Sequence, residues 1–300
     1  MSLVVVGTVA LDSIKTPAGA KKNVLGGSAV HFCMSARLFT KVHLVAVVGK
    51  DFPQKHFQFL KKRGIDLTSL SRVSGETFRW DGEYKKEDLN AALTHATHLG
   101  VLENFIPEIS LQQKNIPNVF LANIDPDVQI SLLNLMKKPR MVGLDSMNLW
   151  IKIKRPSLLR LMKRVDLFVA NDGEARMLTG EQNIIKAAKF LRKIGPRWIV
   201  IKKGEHGVLF YSDRFSFSFP AFPVEEVVDP TGAGDTFAGG LMGCLSCAKT
   251  INRDTFRKAV LYATTAASFN VQGFGPDQTE NLTLARMNQR LKKLREFIAP

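Results

Sequence analysis

The run Asp229-Pro230-Thr231-Gly232-Ala233-Gly234-Asp235-Thr236-Phe237-Ala238-Gly239-Gly240 sets a carboxylate directly after a turn of small residues. Gly232, Ala233 and Gly234 leave backbone N–H groups uncovered, and the helical run that begins there aims its positive dipole end at the same spot. An anion fits that place, with Asp235 beside it in the first turn. A carboxylate next to an anion site is electrostatically unfavourable unless it has a proton to take, so the pattern reads as a site for moving a phosphoryl group. The helix that follows breaks local rules. Gly239, Gly240 and Gly243 each cost roughly 1 kcal/mol against Ala in a helix interior, which predicts that something packs closely against them. A glycine-rich turn leading into a tightly packed helix is the plain structural alternative.

Other groupings are weaker one by one. Gly26-Gly27-Ser28-Ala29 precedes a helical run whose first turn points N–H groups at a ligand or merely makes a turn. Asp12 follows the first strand, at the sheet edge where wound α/β folds bind ligands; capping a turn is its structural alternative. In Asn171-Asp172-Gly173-Glu174, an amide and a carboxylate three residues apart share a helix face. They suit water around Mg²⁺, or, for Asn171, a helix cap. Lys202-Lys203-Gly204-Glu205-His206-Gly207 ends another strand, where Lys202 meets nucleotide phosphates or is solvated. Neither GxxxxGK[ST] nor a GxGxxG after a strand is present, which excludes a Walker-type P-loop.

From Asp229 to Met242 the chain resembles the C-terminal signature of the ribokinase-like (PfkB) kinases, and the resemblance spans nearly its whole length. It implies a three-layer α/β fold, a wound, mainly parallel sheet with a small β-lid, and transfer of the ATP γ-phosphoryl to a hydroxymethyl group. On this resemblance Asp235 is the general base, and the amides of Gly232, Ala233, Gly234 and Asp235 form the anion hole. Gly26 and Gly27 look like the hinge between core and lid, and Asp12 like the carboxylate that accepts substrate hydroxyls. His31 departs from the pattern, standing where Asn is common. Gly49-Lys50-Asp51 resembles a Gly-x-Asp turn, with Pro53 where Gly is frequent. Lys203, Gly204 and Gly207 match the nucleotide loop, with Lys202 where Thr is frequent. Asn270, within Ala266 to Gly273, matches the wall of the adenine pocket. Asn171 and Glu174 match the residues that hold hydrated Mg²⁺. The acceptor stays open among a sugar, a sugar phosphate and a nucleoside. Phe78 and Trp80 in the lid, positioned to stack on a base, and the His31 departure lean toward a nucleoside. A fold that kept its shape and lost turnover, as a binding or regulatory protein, is the rival.

Positioning these residues needs a βα rhythm, and short apolar runs supply it. Strands are predicted at 2–7, 42–48, 118–123, 140–145, 165–170 and 198–203, and a hairpin at 207–212 and 215–219. Helices are predicted at 28–39, 53–63, 128–137, 184–194 and about 283–298; the fourth stops at Gly195-Pro196. No linker divides residues 1–300, which predicts one domain. Segments 11–25 and 71–103 fit the rhythm poorly and suit a lid, and the resemblance adds an expected homodimer through that lid.

Composition sets the outer bounds. Apolar residues at 45% and charged residues at 23% are ordinary for a globular protein. No run of about 18 apolar residues suggests a membrane span, and Met1 to Gly7 reads as a strand rather than a signal peptide. A cytoplasmic setting is expected, and three cysteines agree with it. Cys244 and Cys247 form a CxxC with no second pair, so they read as small hydrophobes. The net charge of +15 is scattered over polar faces, which suits an anionic small substrate better than nucleic acid.

Overall fold

The structure is a computed structural model and describes residues 1–298. The first hundred residues form β1 (Ser2–Val6), β2 (Ala10–Thr16), β3 (Gly19–Gly26), α1 (Ser28–Ala36), β4 (Lys41–Gly49), α2 (Gln54–Lys62), β5 (Asp66–Val73), β6 (Arg79–Lys85) and β7 (Asp88–His98). The βα rhythm then continues through β8 (Asn118–Leu121), α3 (Pro126–Leu135), β9 (Met141–Asp145), α4 (Asn148–Ile153), α5 (Arg155–Met162), β10 (Leu167–Asn171), α6 (Asp172–Thr179), α7 (Ile184–Ile194) and β11 (Trp198–Lys202). A hairpin, β12 (Val208–Tyr211) and β13 (Ser216–Phe219), leads into α8 (Ala233–Ser246), α9 (Arg253–Asn270) and α10 (Leu284–Ile298).

Nine strands make the main sheet in the order β13-β12-β11-β10-β9-β8-β1-β4-β5, parallel except for the β11-β12-β13 hairpins at one edge. Strand β1 lies at an interior position, and its Leu-Val-Val-Val run is buried on both faces, as a covered parallel strand requires. Alternate residues separate into two cores. Leu3 and Val5 join the apolar faces of α1, α8 and α9, while Val4 and Val6 join those of α3, α5, α6 and α7. Helix α7 takes the predicted bounds: Asn183 caps it by accepting the amides of Ile185 and Lys186, and Gly195 ends it. Helix α3 starts earlier than predicted because Asp125 caps it and Pro126 supplies the first turn.

A second sheet, ordered β3-β2-β6-β7, stands apart from the main one. Its strands come from the two segments that break the βα rhythm. The later segment gives the lid less than 71–103, since β5 continues in the main sheet to Val73 before the chain leaves it. No helix among the described residues is long and apolar enough to cross a membrane.

The glycines of α8 have the predicted cause. A Cβ on Gly239 would lie 2.1 Å from the Phe32 carbonyl oxygen, and one on Gly243 would lie 3.0 Å from the Ala36 Cα. On the other side a Cβ on Gly240 would lie 3.0 Å from the Ala263 Cα. Helix α8 is therefore wedged between α1 and α9, backbone against backbone.

Candidate active site

The C-terminal ends of β9, β10 and β11 deliver Asp145, Asn171 and Lys202 to one edge of the sheet, and the start of α8 faces them. Gly232 makes the turn into α8 with φ 72 and ψ 3, a left-handed conformation that suits glycine. Asp229 pins the approach, its carboxylate accepting the amides of Thr231 (2.8 Å) and Gly275 (3.3 Å). Among the described residues the amides of Gly232 and Gly234 have no backbone acceptor outside the helix, so they are available to an anion, while the Asp235 amide turns toward its own carboxylate. Ala233 corrects the expectation: its N–H donates to the Pro230 carbonyl at 3.1 Å, which takes it out of the anion hole.

Asp235 stands in the first turn of α8. Burial raises its carboxyl to about 7, and Asp145 adds to the rise while Lys202 opposes it. A carboxyl poised there is matched to proton transfer near neutrality. Asp12 reaches the same region from the lid strand β2. It is 4% exposed, and its Oδ2 would stand 2.0 Å from a Cβ on Gly26, so only glycine fits there. Burial raises Asp12 to about 7, the amides of Gly27 and Trp80 hold it down, and Asp229 and Asp235 push it up. Its Oδ1 is buried and unpartnered. A buried carboxylate oxygen in that condition is an acceptor lacking its donor. Gly27 turns the chain from lid to core at φ 95, and a Cβ there would stand 2.5 Å from the Thr8 carbonyl oxygen.

The lid contributes Trp80 and Tyr84 from β6. The Trp80 ring lies against Gly82, 2.2 Å from where a Cβ would stand, and Nε1 donates to Thr94 Oγ1 at 3.2 Å. Tyr84 reaches down until its hydroxyl is 3.5 Å from Thr231 Oγ1, and burial raises its phenol. Tyr84 went unassigned from sequence, although the alternation Trp80, Gly82, Tyr84 along one strand is the signal that points to it. Phe78 is a correction. It precedes β6, and its ring packs against the core on the α3, α5, α6 and α7 side of the main sheet rather than over an acceptor.

His31 and Asn270 form one buried unit behind the turn. His31 Nδ1 lies 3.0 Å from Asn270 Oδ1, and its ring covers Gly232 so closely that a Cβ there would stand 2.2 Å from it. Burial pushes His31 down to about 4, so the ring is neutral, and its Nε2 has no partner. Asn270 Oδ1 also accepts from Thr236 Oγ1 at 2.9 Å, and Nδ2 donates to the Thr231 carbonyl at 2.8 Å. At 1% exposure, with its amide engaged on both sides, Asn270 has no face for an adenine. It fastens the turn before α8 to α9, which corrects the adenine-wall expectation.

Asn171 and Glu174 hold each other in a reciprocal capping box: each accepts the other's amide at 2.7 Å. Glu174 is 8% exposed, and burial raises it to about 8 against the pull of Lys202. Asp145, which no motif marks, is 3% exposed and lies 3.3 Å from Lys202 Nζ. Lys203, Gly204 and Gly207 form a tight turn after β11. Lys203 donates its amide to the Gly207 carbonyl at 2.7 Å, and the two glycines sit at φ 54 and 85. The tip of the lid touches this turn, since a Cβ on Gly204 would lie 1.9 Å from Asn90 Oδ1.

Among the described residues no cluster of three or more His, Cys, Asp or Glu side chains could cage a metal directly. The carboxylates of Asp145 and Glu174 suit an ion that keeps its waters and is held mainly by substrate phosphates, which is the habit of Mg²⁺.

The family model described as pfkB family carbohydrate kinase matches residues 2–282. The chain belongs to that family. It is a phosphotransferase with an alcohol group as acceptor, of the sugar and nucleoside kinase class. The cytidine kinase of Thermococcus kodakarensis is 36% identical over 252 residues, covering 81% of this chain and 87% of the relative. The aminoimidazole riboside kinase of Salmonella typhimurium is 34% identical over 282 residues, 87% and 84% of the two chains. The fold matches the crystal structure of the Methanocaldococcus jannaschii nucleoside kinase with a TM-score of 0.75 at 21% identity, covering 97% and 98%. It also matches a putative ribokinase II from E. coli in complex with ATP and Mg²⁺, with a TM-score of 0.79 at 17% identity, covering 97% and 99%.

Proposed function

We propose that this enzyme transfers the γ-phosphoryl group of ATP to the 5′-hydroxymethyl group of a ribonucleoside, with cytidine the first acceptor to test. One observation carries the reading: the buried carboxyls of Asp12 and Asp235 lie close enough for the charge of Asp235 to act on Asp12 and for both to act on Tyr84 of the lid, beside a turn with free amides. Asp12 Oδ1 supplies the acceptor atom that vicinal ribose hydroxyls need. Trp80 and Tyr84 supply the flat apolar cover that a base needs. The identity to a cytidine kinase agrees with this choice.

In the reaction, Asp235 takes the proton of the acceptor hydroxyl as its oxygen bonds to the γ-phosphorus and the bond to the β–γ bridging oxygen breaks, releasing ADP. The amides of Gly232 and Gly234 face the charge on the transferred group, where preorganised donors are most effective. Asn171 and Glu174, with Asp145, would hold the water shell of Mg²⁺, which when bound neutralises phosphate charge. The lid excludes water from the transfer.

ATP consumption with purified enzyme tests the acceptor. Cytidine, uridine, adenosine, ribose, fructose and ribose 5-phosphate are compared by kcat/KM, and a nucleoside is expected to lead by at least tenfold. A free sugar or sugar phosphate in first place would overturn the nucleoside reading while leaving the kinase class intact.

A further inference from the structure

Lys202 closes β11, and its side chain is only 17% exposed, so it is not the solvated cation that a strand-end lysine usually is. Its ammonium lies 3.3 Å from Asp145 Oδ2. It also lies 2.7 Å from the point where a Cβ on Gly234 would stand. Gly234 carries one of the free amides of the anion hole, so the ammonium rests against the hole itself. Any residue with a Cβ at 234 would displace it. Asp145, Glu174 and Asp235 surround this one cation and together raise the amine above its ordinary range, although burial alone would lower it.

A counter-ion for Asp145 has no need to lie against the backbone of the anion hole. The carboxyl groups of Asp145, Glu174 and Asp235 repel a triphosphate to the extent that they ionise, and a cation against the anion hole offsets that repulsion. Lys202 stands there.

We propose that Lys202 is a phosphoryl-contacting residue of the transfer site, its ammonium held by Asp145 in the free enzyme and donating hydrogen bonds to γ-phosphoryl oxygens in the nucleotide complex. This rests on residues 232–235 receiving the γ-phosphoryl group. No bond forms to the lysine and its proton stays in place, while the acceptor's proton goes to Asp235. The ammonium is fixed before the nucleotide arrives, so its attraction carries little reorganisation.

The test uses three variants of the full chain: Lys202→Met, Asp145→Asn and the two together. Calorimetry with Mg²⁺ compares ADP against a β,γ-methylene ATP analogue, alongside turnover and melting temperature. Lys202→Met should weaken the analogue at least tenfold more than ADP and lower turnover by about 10²–10³, the loss typical of one anion-hole donor. The double variant removes both buried charges, so it should regain melting temperature. It should not regain the preference for the analogue or the turnover. If Lys202→Met alone does not fold, the double variant against Asp145→Asn gives the same comparison. Recovery of both preference and turnover in the double variant would reduce Lys202 to a partner for Asp145. Equal losses for ADP and the analogue would place the ammonium away from the γ-phosphoryl group. Either failure leaves the kinase reading standing if the wild-type enzyme turns over ATP and Asp235→Asn does not.

Discussion

Asp235 is held at about 7 in the folded protein against an ordinary value of 3.8, with burial the largest cause. A carboxyl raised by folding contributes stability that is complete below its unfolded value and is lost as pH rises through its folded value. The wild-type enzyme therefore gives up stability between about pH 4 and about pH 7 as this group, the proposed base, ionises. Asp235→Asn keeps the shape and removes that burden. Its melting temperature should match the wild type at about pH 4 and exceed it at about pH 8, while turnover falls by at least 10²–10⁴. Melting curves and turnover at both values check this; a correctly folded variant with near-native phosphoryl transfer contradicts the general-base role. Asp235 was legible as a candidate because chemistry and spacing coincide in one short run. Asp145 was not, since a strand-end aspartate has no local signature and acquires meaning only where the topology sets it beside Lys202. Asn270 shows the opposite failure: its position near the site was legible, but which groups its amide would satisfy depended on three residues distant in sequence.

Helix α8 carries the conflict between local preference and packing. Gly239→Ala should add roughly 1 kcal/mol by helix propensity alone. The new Cβ would meet the Phe32 carbonyl oxygen at 2.1 Å, a backbone atom that moves only if α1 moves. Overpacking of this kind costs about 1–3 kcal/mol or more, so the variant should melt lower than wild type. A rise in melting temperature would mean that α1 and α8 separate easily and that the glycines are not packing residues. The same logic explains which elements could be read. Helix α7 shows one apolar stripe with an Asn cap and a Gly stop, and its bounds follow. Helix α9 escaped because it is buried over much of its circumference and rich in Ala and Thr, which leaves no clean stripe against a polar face. Strand β5 escaped because it is an edge strand with Asp, Thr, Ser and Arg interleaved along it and only Ser69 and Leu70 buried.

At the scale of the molecule, the two sheets meet at two ends of the site. Near the hinge, Gly26 and Gly27 join lid to core, and the lid's Tyr84 touches the anion-hole turn. At the far end, Asn90 in β7 lies against Gly204 of the turn after β11. One lid thus reaches both the proposed acceptor site and the proposed nucleotide turn, so closing it on an acceptor should also stiffen that turn. Binding of the two substrates is then positively coupled, and each tightens the other by the same factor. Asn90→Ala removes the far contact without touching Asp12, Tyr84 or Asp235. Affinity for the methylene ATP analogue, measured with and without saturating acceptor, should show a tightening of about 5-fold or more in the wild type. In Asn90→Ala that ratio should fall toward one, while acceptor affinity measured without nucleotide stays near the wild-type value. An unchanged ratio would confine the lid's action to the acceptor pocket and leave the Asn90 contact without a part in coupling.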